Sequence, residues 1–411
     1  MSEANSKVSR RRFLAGTAAG AAALTVGLRS RSPRAAQPLK IGLLVPLSGA
    51  LAREGQGCKR GADLAPALLA EMGLSVTLMV ADTEGNIDTS RTRAEKLIAD
   101  GAQVLIGAFD SAHTIAVAQV CEQRGVPLVI NIAAAPSITE QGFKTVFRNF
   151  PTAPRLVGDG LAMMKDLFKS SGVTPSKAVF LHNNDTFGQA MAAAVGKLYP
   201  TLDMPMPVVE TISYDGAARD LAVEVGRAKA SGADLALCVT HGEDAIKLVR
   251  EMVKQRFEPK AIISPASPGM YEVQFYKTLG KYSDYCITNI PWINPKSAMS
   301  QALLKAFTKA YPDALFEMNV GFTFEAILVA AEAAKRAGST DAQAVLAALP
   351  ATNIDLHVMT GGPITFDAKG QNNNIRSAAV QNHGGRPVVV LPAEMAEMPP
   401  VFPAPGWQQR A

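Results

Sequence analysis

The sequence predicts an α/β fold of two doubly wound, Rossmann-like lobes, and three observations support this. Short apolar runs without polar alternation recur along the chain, as at residues 39–45, and suit strands buried on both faces of a parallel sheet. A helical pattern follows each run after a short loop, which is typical of βαβ units. The alternation breaks at Phe150-Pro151-Thr152-Ala153-Pro154 and then restarts, so we expect a second unit of similar size.

The first unit alternates strand and helix throughout. Strands are predicted at residues 39–45, 75–81, 104–106 and 127–130, and helices at residues 55–72, 89–100 and 113–124. The second unit repeats the pattern. Its strands are predicted at residues 177–181, 207–212, 235–239 and 261–264, and its helices at residues 155–171, 187–198, 217–230 and 243–256.

The last third of the chain is predicted to return to the first unit. Its segments are residues 284–290, 296–311, 319–337 and 341–349. The tail after Gly361 has the pattern of a β-hairpin followed by a Pro-rich extension at residues 399–405, which we expect to lie along the surface.

The first 36 residues read as a twin-arginine export signal. Ser9-Arg10-Arg11-Arg12-Phe13-Leu14 precedes an apolar stretch rich in Ala and Gly that is too short and small-sided to span a bilayer. A disordered basic arm is the alternative, but the order of these residues favours export to the periplasm. Cleavage near Ala36 is one possibility and an uncleaved anchor is another, because no clear Ala-x-Ala site is present.

The charge balance argues against nucleic acid or an anionic membrane as a partner. Residues 1–36 hold seven Lys or Arg and one acid, which leaves 34 bases and 35 acids in the remaining chain. The high pI therefore belongs to the leader. No stretch of about 18 uncharged apolar residues occurs after Leu28, so we expect a soluble mature protein.

No catalytic or metal-binding motif is recognisable. The sequence lacks a G-x-S-x-G elbow, a phosphate-binding P-loop, a dinucleotide fingerprint and an H-E-x-x-H pair, and its five histidines are not spaced as metal ligands. We therefore expect no cofactor, no metal and no enzymatic activity. Cys58, Cys121, Cys238 and Cys286 have no metal-site spacing, and buried free thiols are favoured over disulfides.

A series of short motifs along the chain resembles one known family. They include residues 40–49 (KIGLLVPLSG), 61–65, 81–83, 106–107, 135–142, 146–148, 182–188 (HNNDTFG), 232–234 and 362–370 (GPITFDAKG). In this order they resemble the periplasmic solute-binding proteins of ABC importers, of the leucine/isoleucine/valine-binding type. The resemblance spans about residues 39–392.

This resemblance implies two lobes that close on a ligand about three crossover segments, near residues 149–154, 288–292 and 357–362. We assign residues 37–150 and 290–357 to lobe 1, residues 151–289 and 358–395 to lobe 2, and residues 396–411 to a C-terminal extension. The implied partners are a small-molecule solute and an inner-membrane ABC permease, and the mature form is expected to be a monomer.

The resemblance also implies ligand-binding positions in lobe 1. The loop at residues 47–54 matches a family loop that touches the ligand, which nominates Ser48 and, where amino-acid binders often carry Tyr, Glu54. Ser111 after Asp110 matches a serine that binds the ligand carboxylate, although it equally suits a helix N-cap. The next loop, with Ala133, Ala134 and Ala135, carries a ligand-binding Thr in the family, and Ala134 takes its place here.

Three further positions come from lobe 2. Phe187 takes the place of a Tyr, His241 lies near another aromatic contact, and Ala266 stands where the family has an acid for the α-amino group. His241 is either a donor to the ligand or an ordinary core or surface histidine. Because a buried unpaired ammonium costs several kcal/mol, Ala266 argues against a plain α-amino acid as the solute. Glu54 or Asp110 is the alternative acid for an ammonium, although the family's usual arrangement is missing.

Ala134, Phe187 and Ala266, which differ from the family's usual residues, together predict a less polar pocket for an aromatic or aliphatic carboxylate or an amide. They leave the charge of the solute open. A transport receptor is the first functional hypothesis. A periplasmic ligand sensor of the same fold, which presents its ligand state to a regulatory membrane partner, is the alternative.

Overall fold

Two separate sheets of mainly parallel strands form the framework of the protein. The computed structural model describes residues 37–294 and 296–410, so the predicted export leader lies outside the described residues. Both sheets belong to one unit that begins at Pro38. The α/β fold class predicted from the sequence is confirmed.

The first sheet is entirely parallel and has the strand order β2-β1-β3-β4-β5. Its strands are β1 (Leu39–Val45), β2 (Val76–Asp82), β3 (Val104–Ile106), β4 (Leu128–Ile130) and β5 (Val146–Arg148). Six of the seven residues of β1 are buried, as expected for a strand covered on both faces.

The second sheet has seven strands in the order β14-β13-β10-β9-β8-β6-β7, and a two-stranded ladder, β11-β12, is separate. The strands are β6 (Ala178–Asn183), β7 (Val208–Tyr214), β8 (Leu235–Val239), β9 (Ile262–Ser264), β10 (Ile287–Pro291), β11 (Asn353–Ile354), β12 (Ile364–Thr365), β13 (Ser377–His383) and β14 (Arg386–Leu391). Only the pairs β10-β13 and β13-β14 of this sheet are antiparallel.

Eleven α-helices are present in the described part of the chain, and most connect successive strands. They are α1 (Ala52–Glu71), α2 (Ile87–Ala99), α3 (Ser111–Arg124), α4 (Ala153–Ser171), α5 (Thr186–Thr201), α6 (Ala222–Ala230), α7 (Gly242–Lys254), α8 (Val273–Leu279), α9 (Ala298–Ala310), α10 (Met318–Ala337) and α11 (Ala342–Ala348). No helix among residues 37–294 and 296–410 is both long and apolar enough to cross a membrane.

Helix α10 packs closely against α1. A side chain at Gly61 would clash with the backbone carbonyl of Val320, so glycine allows the two helices to approach each other. One hydrophobic cluster extends from Leu43 in the first sheet to Leu237 in the second. The packing of α10 on α1 places this helix against the first sheet.

Three sequence-based expectations need correction. The segment at residues 284–290 does not return to the first unit, because β10 pairs with β9 and β13 of the second sheet. The helix predicted from residue 217 begins at Ala222. Asp215 and Asp220 accept hydrogen bonds from the backbone N–H groups of Ala217 and Ala222, and such local bonds compete with helix formation. Strand β5 and helix α8 were not predicted.

The hairpin predicted in the tail is present as β13 and β14. Gly384 and Gly385, both with positive φ, form its turn, which favours glycine. The Pro-rich extension that follows is held by Trp407, whose indole N–H donates to the carbonyl of Phe257 at 2.9 Å. All four cysteines are buried free thiols.

Candidate functional site

A cavity lies between loops that follow strands of the two sheets, and it is partly open to solvent. Its walls are mostly apolar. The lining residues are Phe109, Asp110, Ser111, Ile132, Ala133, Ala134, Phe150, Leu156, Phe187, His241, Ala266, Ser267, Pro268, Ile290 and Met318. The carboxyl ends of parallel strands are where ligands bind in open α/β sheets.

Ser111 provides hydrogen-bond donors on the wall formed by the first sheet. It is the first residue of α3, and Asp110 caps this helix by accepting from the N–H of Ala112 at 2.8 Å. The Ser111 hydroxyl oxygen accepts from the N–H of Ala135 at 3.3 Å, so its proton is left for another acceptor. A helix leaves its first N–H groups without intrahelical partners, so the backbone of Ser111 offers a second donor.

A buried arginine holds the neighbouring loop in place. Arg148 at the end of β5 is fully buried and donates to the carbonyls of Ala133 and Ala135, at 3.2 and 2.7 Å. It also donates to Gln371. Burial lowers the pKa of Arg148 to about 9. Ala133 and Ala134 line the cavity, and we call them the alanine wall. The bonds from Arg148 fix the backbone of the loop that carries this wall.

The opposite wall comes from the second sheet. Phe187 is the second residue of α5, and its ring centroid lies 5.4 Å from that of His241, which precedes α7. His241 Nε2 lies 2.7 Å from Asp185 Oδ2. Burial alone would lower the pKa of His241, but the hydrogen bond and charge of Asp185, with help from Asp244, raise it to about 10. The contact with Asp185 therefore favours the protonated imidazole.

Asp110 is the one acid in the cavity wall, and its carboxylate is already engaged. His113 Nδ1 lies 3.2 Å from Asp110 Oδ1. Burial would raise the pKa of Asp110, but the hydrogen bond and charge of His113 and the charge of His241 lower it. These contacts therefore favour the ionised form of Asp110.

A wider, more polar groove adjoins the cavity and shares Asp110 and His241 with it. Its empty volume is about 1440 Å³. The groove is lined from both sheets, by residues that include Leu51 and His113 on one side and Asn183 and Lys247 on the other. The apolar cavity therefore borders a polar groove.

Asp110, Asp185 and His241 also form a potential metal-ligand set, with ligand atoms all within 4.8 Å of one another. His241 Nε2 and Asp185 Oδ2 already contact each other at 2.7 Å, so two of the three ligand groups are engaged within the protein. The cluster is better described as an ion pair with a third carboxylate nearby. Residue spacing did not reveal it because its members come from three loops.

The cavity brings together seven of the ten residues nominated from the sequence. These are Asp110, Ser111, Ala133, Ala134, Phe187, His241 and Ala266. The other three do not line it. Ser48 donates its hydroxyl proton to Asp82 at 2.7 Å, Glu54 accepts from the N–H of Gly242 at 3.3 Å, and the N–H of Ala135 donates to the Ser111 hydroxyl at 3.3 Å. The role of all ten in binding stays a prediction.

Eight lining residues were not nominated from the sequence. Phe150 and Ile290 lie in predicted crossover segments and Ser267 and Pro268 lie beside Ala266, so the sequence held a signal for these four. Met318 and Leu156 enter from helices, and Phe109 and Ile132 from loops, where apolar residues suggest only core packing.

Comparisons with known proteins identify similar chains. A family model described as periplasmic binding protein matches residues 38–385. "Leu/Ile/Val-binding protein homolog 8" of Brucella suis is 27% identical over 261 residues, covering 62% of this chain and 64% of that protein, which is less than two thirds of its length. "Leu/Ile/Val-binding protein homolog 7" of Brucella abortus is 24% identical over 384 residues, covering 89% and 94%.

Two solved structures are also similar. A leucine binding protein LivK from Thermotoga maritima superposes with a TM-score of 0.73 at 18% identity, covering 85% of this chain and 97% of that one. An ABC transporter solute binding protein from R. palustris in complex with benzoate gives a TM-score of 0.72 at 21% identity, covering 90% and 97%. At these identities the likeness concerns the fold.

Proposed function

Because the chain belongs to the periplasmic binding protein family, we propose that it is the solute-binding receptor of an ABC importer. It would be exported through its twin-arginine leader and would work as a monomer. It would capture a small solute between its two lobes, residues 37–150 with 290–357 and residues 151–289 with 358–395, and deliver the solute to an inner-membrane permease.

The solute we propose is an aromatic or aliphatic carboxylate or an amide with a compact apolar body. The observation that carries this proposal is the cavity between the sheets, which has apolar walls and hydrogen-bond donors at Ser111 and His241. These donors suit the oxygen of a carboxylate or amide. Phe187 and the alanine wall suit an apolar body.

A plain α-amino acid fits the cavity less well. Its ammonium would need a free carboxylate, and Asp110, the single acid in the lining, is engaged by His113 and Ala112. Ala266 offers no charge. Leaving an ammonium unpaired in a closed site costs on the order of a few kcal/mol. Similarly folded proteins are described in complex with leucine in one case and with benzoate in another. The fold itself therefore does not determine whether the solute is an amino acid or another carboxylate.

A thermal-shift screen of the purified protein tests the proposal. The panel contains benzoate, phenylacetate, 4-methylpentanoate, the three corresponding amides, and the proteinogenic amino acids. A ligand at one hundred times its Kd stabilises the fold by about 2.7 kcal/mol, which is a measurable rise in melting temperature. We expect acids or amides to produce this rise. A rise with amino acids alone would contradict the proposed solute class.

A further inference from the structure

A second feature of the structure is found where the chain passes between the two sheets. Within the described residues it passes three times, through segments that we call the connections, at residues 149–152, 292–294 and 373–376. Residues 357–362, which we call the strap, lie between the second and third connections. The N–H of Thr360 donates to the carbonyl of Trp292 at 2.8 Å, and its carbonyl accepts from the N–H of Arg376 at 3.1 Å. The strap therefore bonds to both connections.

The side chain of Glu325 in α10 joins the strap to the first connection. It is fully buried, and within the described chain its carboxylate faces four donors. Oε1 accepts from the N–H groups of Val358 and Met359, at 2.8 and 2.7 Å, and lies 3.0 Å from His357 Nδ1. Oε2 accepts from the side-chain amide of Asn149 at 2.7 Å. One buried carboxylate thus fastens the first connection directly and the other two through the strap.

His357 lies between this carboxylate and the far end of the strap. Its Nδ1 faces Glu325, and its Nε2 lies 2.9 Å from the carbonyl oxygen of Gly362. Both ring nitrogens therefore face acceptors. A neutral imidazole carries one N–H, so only the doubly protonated ring donates to both. Because His357 is buried, water does not readily replace either contact.

The end of the strap that His357 holds consists of two glycines that contact the third connection. Gly361 has a positive φ, and a side chain there would clash with the carbonyl of Asn374. The N–H of Gly362 donates to the same carbonyl at 3.1 Å. Adjacent glycines have a backbone freedom that other residues lack. A change in the conformation of the strap therefore reaches the third connection here and, through it, β13 of the second sheet.

We propose that His357 is a proton-controlled latch in the hinge between the two lobes. With the imidazolium between Glu325 and Gly362, the strap holds the three connections in the arrangement seen in this structure. When the ring loses a proton, a nitrogen lone pair faces one of the two acceptors, so that contact is lost and the strap is loosened. The lobes then separate more readily. The latch rests on the capture of a solute between two lobes that is proposed above.

The groups around His357 favour the protonated ring. Burial alone would lower its pKa, but the hydrogen bond and charge of Glu325, the carbonyl that faces Nε2 and the charge of Asp355 raise the pKa above 6.5. The hydroxyl of Ser297, which donates to the carbonyl of His357, and the amide of Asn149, which donates to Glu325, do not titrate. Because the pKa is raised, the latch is complete below pH 6.5 and is lost as pH rises through the raised value.

The test follows the distance between the lobes in the protein without solute. Fluorescent dyes are attached to Ala50→Cys and Gln189→Cys, two exposed positions on opposite sides of the polar groove, while the native cysteines are buried. We expect the energy transfer between the dyes to be high at about pH 6 and to fall toward about pH 9. The midpoint should lie above pH 6.5 and should match the titration of the His357 ring followed by NMR.

His357→Gln removes the titrating ring and leaves an amide that cannot donate from two separate atoms. At every pH, the transfer efficiency of this variant should equal the low value that the wild-type sequence reaches at about pH 9. His383→Gln is the matched control, because His383 lies at the end of β13 and its Nε2 faces Gln381. The control should keep the wild-type profile.

A wild-type transfer efficiency that is constant between about pH 6 and about pH 9 would overturn the proposal. So would a pH response that persists in His357→Gln, because it would come from other groups, among them His113 and His241 of the groove. Should this variant not fold, a His357 midpoint more than about one pH unit from the transfer midpoint would also overturn it. The proposed transport function would survive each of these results, since the solute screen tests it separately.

Discussion

Glu54 accepts a hydrogen bond from the backbone N–H of Gly242 at 3.3 Å, and this contact joins α1 of the first sheet to α7 of the second. The carboxylate lies at the N-terminus of α7, where the helix dipole favours a negative charge. The contact crosses between the two predicted lobes beside the solute cavity. It is the kind of contact that forms when lobes close and breaks when they part.

We therefore predict that solute binding closes the lobes. The radius of gyration measured by small-angle scattering should be smaller with a saturating solute than without it, because hinge residues absorb the change while each lobe stays rigid. The solute is the acid or amide that gives the largest thermal shift. Scattering curves that superimpose with and without this solute would argue against closure.

Ser111→Ala should weaken solute binding by about 1 to 2 kcal/mol, because one hydrogen bond to the solute is lost. The fold should be retained, since the serine hydroxyl accepts a single 3.3 Å bond from Ala135. Titration calorimetry measures the change. Ser48→Ala is the matched control, because Ser48 lies outside the cavity and bonds to Asp82. Equal affinities of wild type and Ser111→Ala would remove Ser111 from the site.

Replacing Asp185 should destabilise the protein in a pH-dependent way. The pKa of His241 rises from 6.5 to about 10 beside Asp185, so this pair stabilises the fold fully below pH 6.5 and loses its contribution as pH rises toward 10. Asp185→Asn should cost about 1 kcal/mol at low pH, since the aspartate is partly exposed.

Denaturant unfolding between about pH 6 and pH 10 measures this difference. Asp215→Asn is the control, because its carboxylate accepts from a backbone N–H and faces no histidine partner. The Asp185→Asn difference should shrink with rising pH, whereas the control difference should stay constant. A difference that grows with pH would mean that His241 is neutral in the folded protein.

Export should depend on the arginine pair of the leader. Arg10→Lys together with Arg11→Lys should abolish the appearance of the protein in the periplasm, because the export machinery reads this pair in the Ser-Arg-Arg-x-Phe-Leu context. Cell fractionation with immunoblotting measures the amount of the protein in the periplasm. Lys7→Arg serves as the control. Normal export of the double variant would point to another route.

The fold was largely predictable because buried strands carry an unmistakable pattern. Residues 39–45 form β1 as predicted, since an uninterrupted apolar run suits burial on both faces. The start of α6 was not predictable from helical pattern alone, because Asp215 and Asp220 form local bonds that compete with the helix. Strand β5 has three residues and ends in Arg148, whose burial depends on carbonyls contributed by another loop.

The candidate site was predictable where it follows strands and unpredictable elsewhere. Ser111, Phe187 and His241 line the cavity because each follows a parallel strand, so their positions come with the fold. Met318 lines it from α10, a helix whose path back to the first sheet depends on tertiary packing.

The central claim is that the cavity binds a small acid or amide in preference to an α-amino acid. Calorimetry with two matched pairs tests it most directly: 4-methylpentanoate against leucine, and 3-phenylpropanoate against phenylalanine. Each pair differs only in the α-amino group. We predict that the acid without this group binds at least about a hundredfold more tightly in at least one pair, because the ammonium lacks a partner. Submicromolar binding of leucine or phenylalanine, or no binding by any acid or amide of the screen, would contradict the account.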